Sequence, residues 1–321
     1  MSLVSTAYAT QLLERGELVA VPTETVYGLA GRIDREDTLR QIFTVKGRPF
    51  FDPLIVHVKD LNQARSLTRE WPAIFDLLTH AFWPGPLTLV APKSTVVSPL
   101  ITSGLDSVAV RCPRHPMTEQ ILRDLSVPFA APSANLFGHT SPTSAQHVIQ
   151  EFKGAISVVD GGECEIGVES TVIAARFSKQ GKWRIEILRP GGVTRTQIHD
   201  VLQEAKIKFS LERVQSQASP GHLQHHYQPS SPLVITANRD QKLLLHALET
   251  KTKNTFVKVN WLELDQDPRQ AARALYQSFR DLSGDKAVIA VERRPLHSGG
   301  DWEAVWDRIE RAATLNLNKT N

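Results

Sequence analysis

The sequence predicts an α/β protein: a mainly open sheet covered by helices, followed by a smaller second α/β unit. Three observations carry that expectation. Helical and strand-like patterns alternate over the first two hundred residues. Polar clusters recur at the ends of the apolar, strand-like runs, where ligands of open α/β sheets collect. A stretch rich in Ser, Gln, His and Pro then interrupts the alternation before it resumes. With 321 residues, 41% of them hydrophobic, the chain can bury a core in each of two domains.

Taken in order, Ser5 to Glu17 has the pattern of a capped helix and Leu18 to Val21 that of a strand. PTETVYGLAG, residues 22–31, follows directly. It is either an ordinary strand-to-helix turn or a shelf of hydroxyls and carboxylate. Asp37 to Lys46 reads as a helix closed by Gly47 and Pro49, and PLIVHV (53–58) as the next strand. After a helix from about Pro72 to Phe82, the turn Trp83-Pro84-Gly85-Pro86 reverses the chain into a strand at Leu87–Val90. SVAVR (107–111), VPFAAPS (127–133) and STVIAARF (170–177) are further strands. Residues 208–232 read as an inter-domain linker between a first domain, 1–207, and a second, 233–321. In the latter, PLVITA and AVIAVE are strands and Asp267 to Leu282 an amphipathic helix.

Composition narrows the function. A net charge of +3 suits a phosphate-bearing ligand without singling out nucleic acid. Cys112 and Cys164, the only cysteines, cannot build a disulfide framework or a thiolate metal site. No apolar run approaches the roughly 20 residues that span a bilayer, and the first residues lack the pattern of a secretory leader. The expectation is a cytoplasmic protein with no membrane partner. The sequence contains no G-x-x-x-x-G-K-[ST], no strand-linked G-x-G-x-x-G, no HExxH and no G-x-S-x-G.

The strand-end clusters are therefore the candidates. They are Thr23-Glu24-Thr25, His57, Arg111, Ser133 with Asn135, and Arg189, joined by Lys46 and Arg48 from VKGRP. Each has a structural alternative. Lys46 and Arg48 complement a helix C-terminus, Ser133 and Asn135 are turn formers, and His57 fits a satisfied core histidine. Isolated arginines at the ends of apolar strands nevertheless need an anionic partner when even partly buried, and arginine forks match phosphate. His222, His225 and His226 raise a metal reading, against which stands the lack of any nearby acidic or cysteine ligand.

PTETVYGL, KGRP followed by PLIVH, WPGPLT, SVAVRCPRHP, AAPSAN followed by SPT, GVEST and LRPGG stand in the order found in the YrdC-type threonylcarbamoyl-AMP synthases, which the chain resembles over about residues 5–205. SPGHLQHHYQP resembles the linker of the two-domain subgroup. The resemblance implies a YrdC-like twisted mixed open sheet with helices around a concave cleft, plus a small C-terminal Rossmann-like domain. It further implies formation of L-threonylcarbamoyladenylate and pyrophosphate from L-threonine, bicarbonate and ATP with Mg²⁺. The product would pass to a downstream transferase that modifies tRNA.

Carried over by position, Thr25, His57, Arg111, the backbone at Ala131 and Ser170 would line the threonine or carbamate pocket. Lys46, Arg48, Asp52, Ser107, Ser133, Asn135, Ser141 and Arg189 would surround ATP, with Lys46 and Arg48 stabilising charge. Tyr227 would close over the nucleotide as part of a lid. No residue is implied as a nucleophile and no protein ligand of Mg²⁺ is indicated. Asp52 stands where many relatives have Asn, so a cation such as Arg48 or Mg²⁺ would have to offset its charge. The competing reading is a non-catalytic RNA- or tRNA-binding module, which would need basic residues gathered in a stripe with interleaved aromatics. A third is carbamoyl-adenylate chemistry on carbamoyl phosphate, which would bring zinc-finger and acylphosphatase-like segments that are absent here.

Overall fold

A computed structural model describes residues 3–216, 218 and 226–318. Fourteen strands form two sheets among these residues. The first ten are β1 (Val19–Val21), β2 (Gly28–Arg32), β3 (Ile55–His57), β4 (Leu87–Pro92), β5 (Ser107–Arg111), β6 (Phe129–Ala130), β7 (Ser157–Val158), β8 (Thr171–Phe177), β9 (Trp183–Arg189) and β10 (Phe209–Arg213). They form one mixed sheet in the order β10-β9-β8-β4-β5-β3-β6-β2-β1-β7. The second sheet, from β11 (Leu233–Ile235), β12 (Lys258–Leu262), β13 (Ala287–Val291) and β14 (Ala313–Asn316), is ordered β12-β13-β11-β14, all parallel. This is the α/β, YrdC-like architecture the sequence predicted. No helix among the described residues is long and apolar enough to cross a membrane.

Period-two alternation assigns the faces of the large sheet. Leu54, Val56 and Val58 point into the main core beneath the helices, as do Val108 and Val110, while Ile55 and Ala109 pack on the opposite face. His57 and Arg111 follow Ile55 and Ala109 by two residues and sit directly across from one another in the β3–β5 register. The strands therefore deliver both side chains to one face.

The strand expected over 127–133 is confined to β6, β7, β12 and β14 were not foreseen, and two further elements differ from the sequence expectation for a clear physical reason. GLAGR is a strand, β2, because its glycines are packing requirements. A Cβ on Gly31 would lie 2.8 Å from Thr38 Cγ2, and one on Gly28 would lie 3.1 Å from the Ala131 Cβ. Glycine is normally depleted in strands, which hides this one from propensity. Phe209–Arg213, placed in the linker by its polar texture, is instead β10 and pairs in parallel with β9. It is an edge strand with no fully buried residue, so it lacks the apolar run that marks an interior strand.

The domain boundary is packed. The core of the second unit, built from Leu233, Ile235, Leu275, Tyr276, Ile289, Val305, Trp306 and Ile309 among others, also contains Val26, Val168 and Tyr227. At Gly167 (φ 79°) the backbone comes so close to the helix Pro268–Leu282 that a Cβ would lie 2.5 Å from Arg273 Cα. Only glycine tolerates both that conformation and that approach.

Candidate active site

The strand ends of the large sheet enclose a small cavity of about 50 Å³. Thr23, Thr25 and Gly28 line one side, Ile55, His57 and Arg111 the floor, and Ala131, Pro132 and Ser133 a third side. Arg48, Glu169, Ser170, Arg189, His226 and Tyr227 complete it. All five residues assigned to the threonine or carbamate pocket by resemblance meet here, together with Arg48, Ser133, Arg189 and Tyr227 from the ATP set.

The PTET shelf is a built structure. Thr23 Oγ1 donates to the Val26 carbonyl (2.6 Å), accepts from the Thr25 and Val26 amides (both 3.2 Å) and lies 2.8 Å from Thr25 Oγ1. The Thr25 hydroxyl is thereby aimed by its neighbour. Arg111 donates through Nε to the Gly85 carbonyl (3.3 Å) and forms a buried ion pair with Glu24 (Nη2 to Oε2, 2.7 Å). A guanidinium has five N–H donors, so several remain for a ligand carboxylate. Burial and the Arg111 charge push His57 down to about 3, so its imidazole is neutral at ordinary pH. The ring stacks on Phe129, centroids 5.7 Å apart.

Arg48 reaches the cavity from the KGRP turn. Its Nε and Nη2 donate to the carbonyls of Asp52 (3.0 Å) and Pro53 (2.7 Å), and Nη2 lies 2.9 Å from Asp52 Oδ2. Arg48 thus offsets the Asp52 carboxylate. Lys46 is fully buried and does not line the cavity. Its ammonium donates to the carbonyls of Ser133 (2.6 Å) and Asn135, fixing the loop that carries both residues. Burial, then the neighbouring Arg48, hold its pKa well below the usual lysine value. Arg189 donates to Ser170 at both its carbonyl (3.1 and 3.0 Å) and its Oγ (3.1 Å). Asn135 donates to the carbonyls of Leu136 and His139, whereas its Oδ1 is buried without a hydrogen-bond partner. Ser141 donates to Glu169 (2.6 Å). Asp52, Ser107, Asn135 and Ser141 are not among the cavity-lining residues; Ser107 begins β5, at the opposite end from Arg111.

Of the three linker histidines, His222 and His225 lie outside the described residues. His226 is buried against Phe137 and Tyr227, ring centroids 5.5 and 4.3 Å away. Burial and then Arg48 push it down to about 3. Tyr227 is 1% exposed with φ 67°, a conformation that costs a bulky residue about 1–3 kcal/mol. Its hydroxyl, His226 Nδ1, Glu24 Oε1 and Asp52 Oδ1 are buried without hydrogen-bond partners. Native proteins rarely leave such groups unsatisfied; Tyr227 and His226 line the cavity and the two carboxylates pair with its arginines Arg48 and Arg111, which makes it the candidate ligand site.

Glu169, the carboxylate of GVEST, is the lining residue that sequence reasoning missed. Its signal was an acidic residue immediately before a strand, within a run that the resemblance used only for Ser170. Its backbone explains the first glycine of LRPGG: a Cβ on Gly191 would lie 2.2 Å from the Glu169 carbonyl oxygen.

An α/β sheet with a buried, cation-lined cavity at its strand ends defines a protein that binds a small anionic substrate. Sequence comparison makes this specific. A family model described as "Telomere recombination" (Sua5, YciO, YrdC) matches residues 11–191, and a model of the threonylcarbamoyl-AMP synthase C-terminal domain matches residues 193–314. The chain belongs to the Sua5–YciO–YrdC family, in its two-domain form. Threonylcarbamoyl-AMP synthase of Pyrococcus abyssi is 38% identical over 97% of this chain and 94% of its own length; that of Bacillus subtilis is 42% identical over 74% and 68%. The crystal structure of P. abyssi Sua5 complexed with L-threonine superposes with a TM-score of 0.81 at 35% identity, covering 97% of this chain and 96% of that one.

Proposed function

We infer that this chain is an enzyme, an L-threonylcarbamoyladenylate synthase, and a nucleotidyltransferase in mechanism. The observation that carries the reading is the meeting of Thr25, His57, Arg111, Ala131 and Ser170 with Arg48, Ser133, Arg189 and Tyr227 around one cavity. In the reaction the threonine amine and bicarbonate give a carbamate with loss of water, and a carbamate oxygen then forms a bond to the α-phosphorus of ATP while the bond from that phosphorus to pyrophosphate breaks. Such a displacement needs aligned reactants and preorganised cations more than a nucleophilic side chain.

The geometry supports the assignments that the resemblance implies. Arg111, braced by Glu24 and Gly85, pairs with the amino acid carboxylate. The oriented Thr25 hydroxyl contacts the amino acid, and His57 is neutral and cannot repel the ammonium of incoming threonine. Arg48 and Arg189 face the phosphates, Ser133 and Asn135 stand on the loop that Lys46 fixes, and Tyr227 covers the site. Mg²⁺ enters with ATP, as part of the substrate. Its ligands would be phosphate oxygens and water, as is usual for Mg²⁺ bound with a nucleotide. The product serves a separate cytoplasmic transferase that modifies tRNA.

The test is direct. The protein incubated with ATP, Mg²⁺ and bicarbonate should release pyrophosphate only when L-threonine is added, with the adenylate detected by mass. Absence of threonine-dependent pyrophosphate overturns the reading.

A further inference from the structure

Three side chains of the second domain cross the boundary and end behind the catalytic cavity. Arg308, fully buried in the helix Glu303–Ala312, donates through Nε to Glu169 Oε2 (2.7 Å) and through Nη1 to the Pro190 carbonyl (2.8 Å). Tyr276, also fully buried, donates its hydroxyl to the same carboxylate, 3.1 and 3.0 Å from its two oxygens. Four residues on, Arg280 presents the same helical face. It donates to the carbonyls of Thr140 (2.7 Å) and Ser141 (3.0 Å), whose loop carries the Ser141 hydroxyl that bonds Glu169. Burial alone would raise the Glu169 pKa, but Arg308, Arg189 and Ser141 hold it down to about 2.

The same residues support the end of the linker. The Arg308 guanidinium lies 5.1 Å from the centre of the Tyr227 ring, and Tyr276 packs beside that ring with centroids 5.9 Å apart. The loop held by Arg280 is zipped to the linker: the Thr140 amide donates to the Gln228 carbonyl (3.1 Å) and the Gln228 amide to that of Gly138 (2.7 Å). The cavity wall and its cover thus rest on contacts that Tyr276, Arg280 and Arg308 of the second domain anchor.

We propose that Tyr276, Arg280 and Arg308 of the second domain are positioning residues for the reaction, acting through Glu169 and the Ser141 behind it on the Glu169–Ser170–Arg189 wall and on the seat of Tyr227. The second domain is then a clamp that sets the closed geometry of a site it does not itself line. This rests on the synthase reading.

The test pairs kinetics with amide hydrogen exchange on the full chain. Tyr276→Phe removes one hydroxyl and keeps the ring. It should lower kcat by roughly threefold to tenfold with little change in the threonine KM, as loss of an orienting contact does. Arg308→Met leaves Glu169 charged and buried without its main partner, so it should lower both stability and kcat. Adding Glu169→Gln should restore stability but not turnover, because a neutral buried pair is cheap while the positioning is still lost. Exchange should quicken at Thr140–Ser141 and His226–Gln228 in Tyr276→Phe and leave β13 protected. Wild-type kcat in both Tyr276→Phe and the double variant overturns the proposal. So does a kcat that simply recovers with stability. Should the unsubstituted enzyme release no threonine-dependent pyrophosphate, the synthase reading fails on its own, and the exchange pattern still decides whether the clamp exists.

Discussion

Both sheets carry charged residues at the carboxyl ends of their strands, and the two sets behave in opposite ways. In the small parallel sheet, Glu263 follows β12, Glu292 follows β13 and Arg239 lies beyond β11. With Arg294 they form a quartet at the surface: Arg239 to Glu263 and Glu292 (3.0 and 3.3 Å), Arg294 to the same two (3.0 and 3.5 Å). In the large sheet, Arg111 and Arg189, which end β5 and β9, are 4% and 5% exposed, Arg48 joins them from the KGRP turn at 6%, and the polar atoms around them include several with no partner. Location at a strand end is shared and does not distinguish a ligand site from a solvated rim. Burial combined with unspent hydrogen-bonding capacity does.

The sharpest way to break that contrast is to remove a buried cation. Arg48→Ala leaves Asp52, 0% exposed, without its ion-pair partner, which typically costs about 3–5 kcal/mol, and it also removes a cation proposed to face the phosphates. Chemical denaturation should show the stability loss and calorimetric titration the loss of ATP binding. Adding Asp52→Asn should recover most of the stability and not the affinity. A single variant that keeps both properties would remove Arg48 from the site.

Acid should separate the two regions next. His57 and His226 titrate near 3 when folded and near 6.5 when unfolded, so the unfolded chain binds the additional protons between those values. Their contribution is therefore fully present above pH 6.5 and is lost as pH falls toward 3, each histidine approaching about 1.4 kcal/mol per pH unit. His226 is faced by Arg48, Lys46 and Arg189, which oppose its protonation, and by Glu169, which favours it. Glu169, near 2 when folded, loses its contribution only as pH falls from 4.5 toward 2. Stability measured against pH should thus decline in two stages, with His226→Gln flattening the first. An unchanged slope in that variant would contradict the buried, neutral placement.

How much of this was written in the sequence differs by region. The alternating apolar runs placed β1, β3, β4, β5, β8 and β13, since an interior strand must show its burial as composition. The same logic failed at β2, where close packing demands glycine, and at β10, whose edge position demands little burial. At the site, PTET, KGRP, APSAN and LRPGG brought their residues to one cavity because each follows a strand or a helix end that fixes its direction. Tyr276, Arg280 and Arg308 were illegible. They lie within amphipathic helices where buried arginine and ordinary surface arginine look alike, and only the approach of the second domain distinguishes them.

A smaller effect is expected from Tyr227→Phe. The Tyr227 hydroxyl has no hydrogen-bond partner in the closed cavity, so its removal should leave stability nearly unchanged while the ring keeps its place between His226 and Tyr276. If that hydroxyl meets the bound nucleotide, kcat should fall by roughly tenfold, the scale of a hydrogen bond to a charged group. Truncation to Ala would confuse the question, because it also empties a core position of the second domain. Wild-type turnover in the Phe variant would restrict Tyr227 to a packing role.

The smallest effect belongs to the surface quartet and is the control on the whole comparison. Arg294→Ala breaks two contacts whose side chains are 40% exposed on the arginine and 55% and 29% on the glutamates. Water and salt already screen these charges, and Arg239 still bridges the same two carboxylates. The cost should be below about 1 kcal/mol and should vanish as ionic strength rises. Pyrophosphate release should match the unsubstituted enzyme, since no residue of the quartet lines the cavity. A turnover defect in Arg294→Ala would mean that the carboxyl end of the small sheet takes part in the reaction, and that exposed, mutually paired charges cannot be set aside when a site is sought.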